Sequence, residues 1–304
     1  MYILAEKASH STISDSDSKR VCLSWRPCID AKSSEDRREC LITSVVLLSD
    51  DKLLVTDYAN AVIKAFELST NRLVAELSLP GKPWNACVIP NNHVAITLPE
   101  NQTIQTVSTG GQLSAVQQIT VHGHCRGIAF FDQQFVVGCQ QPSKVELIGE
   151  DGQLKSSVSY DGQGKVHFDK PNYISVCVND RRHVKIFVSD YGTKSITMMD
   201  KNLNILKVFT GLTLCEPCGV DASIPGELLV VYRMSNFIHR LDTSTGVTTI
   251  IQNTDKHKDY RQEMHNQILD PLDVSFCAAT QRLYVVNGDV VSRRYVYVFS
   301  VEQV

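Results

Sequence analysis

Cys215-Glu216-Pro217-Cys218 has the C-x-x-C spacing of half a zinc site or of a redox pair. A zinc site needs a second ligand pair, and a thioredoxin-like pair needs a strand–helix–strand setting; the flanking sequence supplies neither. Pro217 suits the turn into a strand instead, with a cysteine on either side. His122, His124 and Cys125 also cluster, but loop positions this close together do not share one tetrahedral site. Asp57 and Asp190 end two apolar runs, in Val55-Thr56-Asp57-Tyr58-Ala59-Asn60 and Val188-Ser189-Asp190-Tyr191-Gly192-Thr193. A short carboxylate there accepts backbone N–H bonds and fixes the turn, which is a structural role. These motifs imply no catalytic residue, no metal site and no cofactor.

The elements that would position any site are short strands. Leu53–Thr56 and Val62–Phe66 flank an Asp/Asn turn, the signature of a hairpin. Lys185–Thr197 repeats the pattern. Strands opening each unit fall near Ile42, Trp84, Arg126, Asn172, Pro217 and Leu272, about 42 to 55 residues apart, the period of repeated β-units. Five units show four strands each. The sixth shows three, Asp273–Cys277, Arg282–Val286 and Tyr295–Ser300, and then the chain stops. A ring of sheets must close or leave an unpaired edge. Val21–Trp25 is the early segment suited to supply the fourth strand. The expected fold is therefore all-β, a six-bladed β-propeller over residues 20–304, with a polar tail at 1–19. Asp30–Arg38 reads as a solvated loop, within which Ser33–Glu39 could start a short helix, and Asn253–Gln262 as an exposed insertion.

The 304 residues carry a net charge of −3, with 43% apolar and 21% charged residues. That supports a sizeable core and gives no push toward phosphate backbones or anionic membranes, so neither DNA nor membrane binding is expected. No apolar run approaches a membrane helix, and the N-terminus lacks the pattern of a signal peptide, so a cytoplasmic protein is expected. Cys87, Cys139, Cys177 and Cys277 lie in strand-like runs and read as free core thiols.

Val55–Phe66 resembles the core of an NHL repeat, in which a strand, an Asp and an Asn precede an Ile and an aromatic. Leu79-Pro80-Gly81-Lys82-Pro83-Trp84-Asn85, Val94–Pro99, Val121–Ile128 and Ser34–Cys40 are similar to the C-terminal propeller of invertebrate tripartite-motif-like proteins. The resemblance covers residues 20–304, although only the first and fourth units keep the Asp. It implies a non-catalytic protein-interaction platform, the substrate-recognition part of a ubiquitin ligase. A RING needs dense Cys/His pairs. Residues 1–40 hold only His10, Cys22, Cys28 and Cys40, so the ligase module is not expected in this chain.

The starts of the innermost strands bring Trp84, Asn85, Arg126, Asn172, Tyr173 and Asp273 toward one channel mouth. Hydrolases of the gluconolactonase and paraoxonase type share a six-bladed fold and need a calcium-class cage there. One carboxylate, two amides and a cation make a poor one. The set suits a protein partner better, with Trp84 and Tyr173 as anchors, Arg126 as a fork donor, and Tyr58, Tyr191 and Arg233 on adjoining turns. Single-stranded RNA is the alternative partner, as for some NHL propellers, through Lys82, Arg126, Lys194, Arg233, Arg293 and Arg294.

Overall fold

A computed structural model describes residues 21–303 except 161–163, 165–166, 180–182, 212–215, 234–236 and 254–267. The expected tail, most of the expected insertion and Cys215 lie outside the described residues. Strand β1 (Val21–Asp30) precedes five blades of four antiparallel strands. Blade 1 is β2 (Ile42–Ser49), β3 (Lys52–Asp57), β4 (Val62–Glu67) and β5 (Arg72–Ser78). Blade 2 is β6 (Ala86–Ile89), β7 (His93–Leu98), β8 (Thr103–Ser108) and β9 (Ser114–Thr120). Blade 3 is β10 (Cys125–Phe131), β11 (Gln134–Gln140), β12 (Ser143–Gly149) and β13 (Leu154–Val158). Blade 4 is β14 (Pro171–Val178), β15 (Val184–Asp190), β16 (Ser195–Met199) and β17 (Ile205–Phe209). Blade 5 is β18 (Pro217–Asp221), β19 (Glu227–Tyr232), β20 (Ile238–Asp242) and β21 (Thr248–Asn253). Blade 6 is β22 (Pro271–Cys277), β23 (Arg282–Asn287) and β24 (Tyr295–Gln303), completed by β1.

The N-terminal strand closes the ring as the strand count requires. Leu23, Ser24 and Trp25 pair antiparallel with Val301, Ser300 and Phe299. Trp25 packs on Phe299 with ring centroids 4.4 Å apart. β1 runs to Asp30, five residues beyond the expected end, because a bulge between Arg26 and Ile29 accommodates Pro27, which cannot donate to a ladder. β1 also pairs in parallel with β21, so blades 5 and 6 form one sheet and the outer edge of blade 5 is partly covered.

Polar side chains on the innermost strands join one blade to the next. The Ser44 hydroxyl accepts the Ala86 N–H, Asn85 Oδ1 accepts Ile128, and Ser175 accepts Ala222. Asp221 accepts Phe276, and Asp273 accepts Val45, which closes the circle. Each link satisfies a buried N–H that no ladder reaches, so these polar residues are structural. Between blades 3 and 4, and again between blades 5 and 6, the approach is too close for a side chain. A Cβ on Gly127 would lie 3.0 Å from Tyr173 Cα, and one on Gly219 would lie 2.4 Å from Asp273 Cα. Gly219→Ala is therefore expected to destabilise the protein by about 1–3 kcal/mol through overpacking. Gly111→Ala, with nothing within 4 Å, should leave the melting temperature nearly unchanged. Thermal melts of the two variants compare them directly.

Two expectations are corrected. The largely exposed loop over 33–39 starts no helix; its turn at Ser34 and Glu35 instead folds Asp36 onto the buried Lys64. Cys139 is not a free thiol; it is disulfide-bonded to Cys125, directly opposite it on β10 and β11. Cys277 is buried and free, while Cys87 and Cys177 are free and half-buried.

Candidate functional site

The two turn carboxylates act as backbone anchors. Asp57 Oδ1 accepts N–H bonds from Leu41, Ala59 and Asn60. Asp190 Oδ1 accepts from Lys170, Gly192 and Thr193, and its Oδ2 accepts from Asp169. Both are fully buried. Asp57 does more than hold its turn: its Oδ2 lies 3.1 Å from Lys64 Nζ, which also donates to both oxygens of Asp36 at 2.7 Å and to the Ala31 carbonyl at 2.8 Å. Asp36, Cys40 and Asp57 have the donors of a small metal site. Lys64 already fills it, because its ammonium supplies the positive charge among them. Cys40 Sγ lies 3.6 Å from that nitrogen, and burial pushes the thiol far up, so it is not a ready thiolate. Sequence reading missed this cluster. Lys64 occupies a polar slot in an alternating strand, and its partner Asp36 is separated from it by a turn-rich segment.

At the channel mouth the sequence-picked residues divide. Trp84, Arg126, Tyr58 and Tyr173 come together. The Arg126 guanidinium lies over the Trp84 ring at 3.8 Å, a cation–π stack. Tyr58 meets Trp84 edge-on at 5.9 Å, and Tyr173 lies tilted beneath it at 6.2 Å. Lys82 sits 5.1 Å over Tyr58, whose hydroxyl donates to Glu100 at 2.8 Å. Tyr191 and Arg233 belong to blades 4 and 5. Lys170 covers the Tyr191 ring at 5.4 Å, and Arg233 is ion-paired with Asp270 at 3.1 Å.

Tyr173 cannot be a surface anchor. It is 1% exposed, and its hydroxyl donates to the Thr43 carbonyl at 2.7 Å. Blades 1 and 4 face each other across a six-membered ring, so this bond crosses the channel and Tyr173 forms the floor of the mouth. Arg126 differs from Lys82 and Arg233, each of which is ion-paired with a carboxylate. Its contact to Asn172 Oδ1 stands at 3.5 Å, and no carboxylate pairs with it among the described residues. Burial pulls its basicity down, and nearby Arg233 opposes its charge further. The Trp84 Nε1–H is buried and has no acceptor among the described residues. Unused donors and an unpaired guanidinium thus share one mouth.

The residues at this mouth do not fit a calcium-class ion. Asn85 is engaged by Ile128 and Ser44 as an inter-blade link, and Asn172 faces Arg126 and Gln140. A guanidinium beside a hard-cation cage repels its occupant.

No protein-family profile matches the chain, and no curated protein matches it in sequence. Solved structures do match in shape. Virginiamycin B lyase from Staphylococcus aureus is 13% identical, with a TM-score of 0.58 over 94% of this chain and 89% of that one. A streptogramin B lyase structure is 13% identical, with a TM-score of 0.62 over 93% and 98%. A protein of unknown function from Bacteroides thetaiotaomicron is 10% identical, with a TM-score of 0.68 over 93% and 76%. These likenesses establish the fold: a six-bladed β-propeller. At such identities they carry no activity across.

Proposed function

We propose that the chain is a non-catalytic binding platform that grips an acidic segment of a protein partner at the Trp84–Arg126 mouth. The observation that carries this reading is the desolvated, unpaired Arg126 guanidinium stacked on Trp84. A partner carboxylate would supply the missing counter-charge, and Trp84 and Tyr58 would add aromatic contact. The resemblance of Leu79–Asn85 and Val121–Ile128 to tripartite-motif-like propellers gives the finer form of this proposal, in which the segment belongs to a ubiquitination substrate. Arg126→Glu should abolish binding of acidic peptides from an immobilised library, a loss of about a hundredfold or more for a buried charge pair. Its melting temperature should change little. Acidic peptides bound as well by the variant as by the parent would place the site elsewhere.

Single-stranded RNA is the second reading, favoured by Lys82 over Tyr58 and Lys170 over Tyr191 on the same rim. Anisotropy with a labelled oligouridylate at two salt concentrations tests it. Salt-sensitive binding lost in Lys82→Glu would support RNA, and no binding would dismiss it.

A further inference from the structure

Blades 1, 3 and 4 enter their innermost strands through a segment that the end of the second strand holds in place. In blades 1 and 4 a carboxylate does this. Asp57, opposite Ile42, takes the Leu41 N–H, and Asp190, opposite Pro171, takes the Lys170 N–H. A backbone bond follows in both, from Tyr58 N to the Leu41 carbonyl and from Tyr191 N to the Lys170 carbonyl. Blade 3 has the same backbone bond, from Gln140 N to the His124 carbonyl, so Cys139 stands where those carboxylates stand. It holds its entry segment covalently, through the disulfide to Cys125 opposite it.

The residue after Cys125 is Arg126. The β10–β11 register slips between Cys125 and Gly127, which leaves Arg126 as the unpaired extra residue of a bulge. A bulge re-aims its side chain, here over the Trp84 ring at 3.8 Å. The Thr97 hydroxyl tethers the Arg126 carbonyl at 2.7 Å, so a shift at Cys125 changes the direction of the side chain above all. Cys125 and Cys139 are 1% and 0% exposed and packed with Val121, Ile128 and Val137. Two separate thiols need more room than a bonded pair, and a close-packed cluster passes the displacement on to the backbone. The bulge, which the ladder does not hold, is the nearest backbone able to give.

We infer that the Cys125–Cys139 disulfide is a redox-sensitive positioning device for Arg126, and that its reduction weakens the mouth's grip on a carboxylate; the second half rests on the function proposed above. A dithiol breaks the S–S bond by two successive exchanges. Its two electrons and two thiol protons pass to Cys125 and Cys139, which become thiols, and the dithiol closes to its own disulfide. The carboxylate anchors of blades 1 and 4 have no such response.

Trp84 reports the position of Arg126 without any partner. In Trp25→Phe protein it is the only tryptophan, and mass spectrometry confirms the redox state. Reduction with dithiothreitol should move its emission to longer wavelength as the guanidinium uncovers the ring, and reoxidation should reverse the shift. The strands still pair from Gly127 to Phe131, so far-ultraviolet circular dichroism should stay the same. Adding Arg126→Ala should abolish the redox response, which a general loosening of the blade would not do. A glutamate-rich peptide should bind the reduced form about three- to tenfold more weakly, the cost of ordering one long side chain on binding. Cys125→Ala with Cys139→Ala should behave as the reduced form, and it takes the place of reduction where the buried bond resists the dithiol. Identical emission with the bond intact and removed, or a response that persists in Arg126→Ala, would overturn the inference. A peptide that binds neither form would instead end the reading of the mouth as a carboxylate site, while Trp84 emission still decides the positioning.

Discussion

Lys64→Met should cost the protein about 3–5 kcal/mol, the largest effect expected of any single change here. Its side chain is fully buried, and so are those of its partners Asp57 and Asp36, at 0% and 2% exposure. Removing the ammonium leaves two desolvated carboxylates facing each other with no cation. Burial alone would raise Asp57, but the Asn60 amide, the Leu41 N–H and Lys64 hold it below the usual carboxylate range. Burial likewise opposes the Lys64 charge, and Asp36 and Asp57 more than restore it. A depressed acid gives stability that is present above its unfolded value near 4 and lost as pH falls through the folded value. Lys64 gives stability that is present below its ordinary value and lost only as pH rises through the raised one. Urea unfolding at neutral pH should show the full deficit. Lys64→Met with Asp36→Leu should recover part of it, because one of the two stranded carboxylates is gone while Asp57 keeps its Leu41 N–H and Asn60 partners. An unchanged midpoint in the single variant would mean that the loop at residues 31–40 does not cap the blade.

Asp273 should produce the opposite pH dependence. Burial pushes its carboxyl up to about 7, against the links from Val45, Ser44 and Val274, and nearby Asp221 adds to the rise. Asp221 is itself raised by burial, and no described cation offsets either. The folded state then holds a proton that the unfolded state has released, so stability is fully present below about pH 4 and is lost as pH rises through 7. Across that window the loss is on the order of 4 kcal/mol for a shift of about three pK units. Asp273→Asn can still accept the Val45 N–H but gives up one acceptor. It should flatten the slope between pH 4 and 7, matching or exceeding the parent at pH 7.5 and falling below it in acid. Parallel slopes for parent and variant would show that Asp273 is solvated in solution.

The fold was legible because strand alternation, turn residues and a missing fourth strand are local or countable features. Val21–Trp25 could be placed by elimination, since a ring has one gap to fill. The mouth was legible in part, because residues at strand starts converge in any propeller, and Trp84 with Arg126 did converge. Tyr173 shared that position, yet its burial depends on a hydroxyl bond to blade 1, which no local pattern encodes. Lys64 and Asp36 were hidden for the same reason. A polar residue in an alternating strand normally faces water, and only the folded loop turns it into a buried cation. Asp221 lay within a short strand beside Val220 and gave no sign of facing Asp273 across a blade boundary. Cys139 reads as the end of a strand but Cys125 as a loop position just before the partner strand, so the register that sets them opposite each other was beyond the turn signals.

The most direct measurement of the binding claim uses the protein's own chromophores. The chain holds two tryptophans, Trp25 in the closing strand and Trp84 under Arg126. A Trp25→Phe variant leaves Trp84 as the sole reporter at the mouth. Titration with a glutamate-rich peptide should change its emission saturably, whereas the matching glutamine peptide should not, and adding Arg126→Glu should erase the response. An emission that ignores the acidic peptide, or follows both peptides alike, would contradict a mouth built to receive a carboxylate.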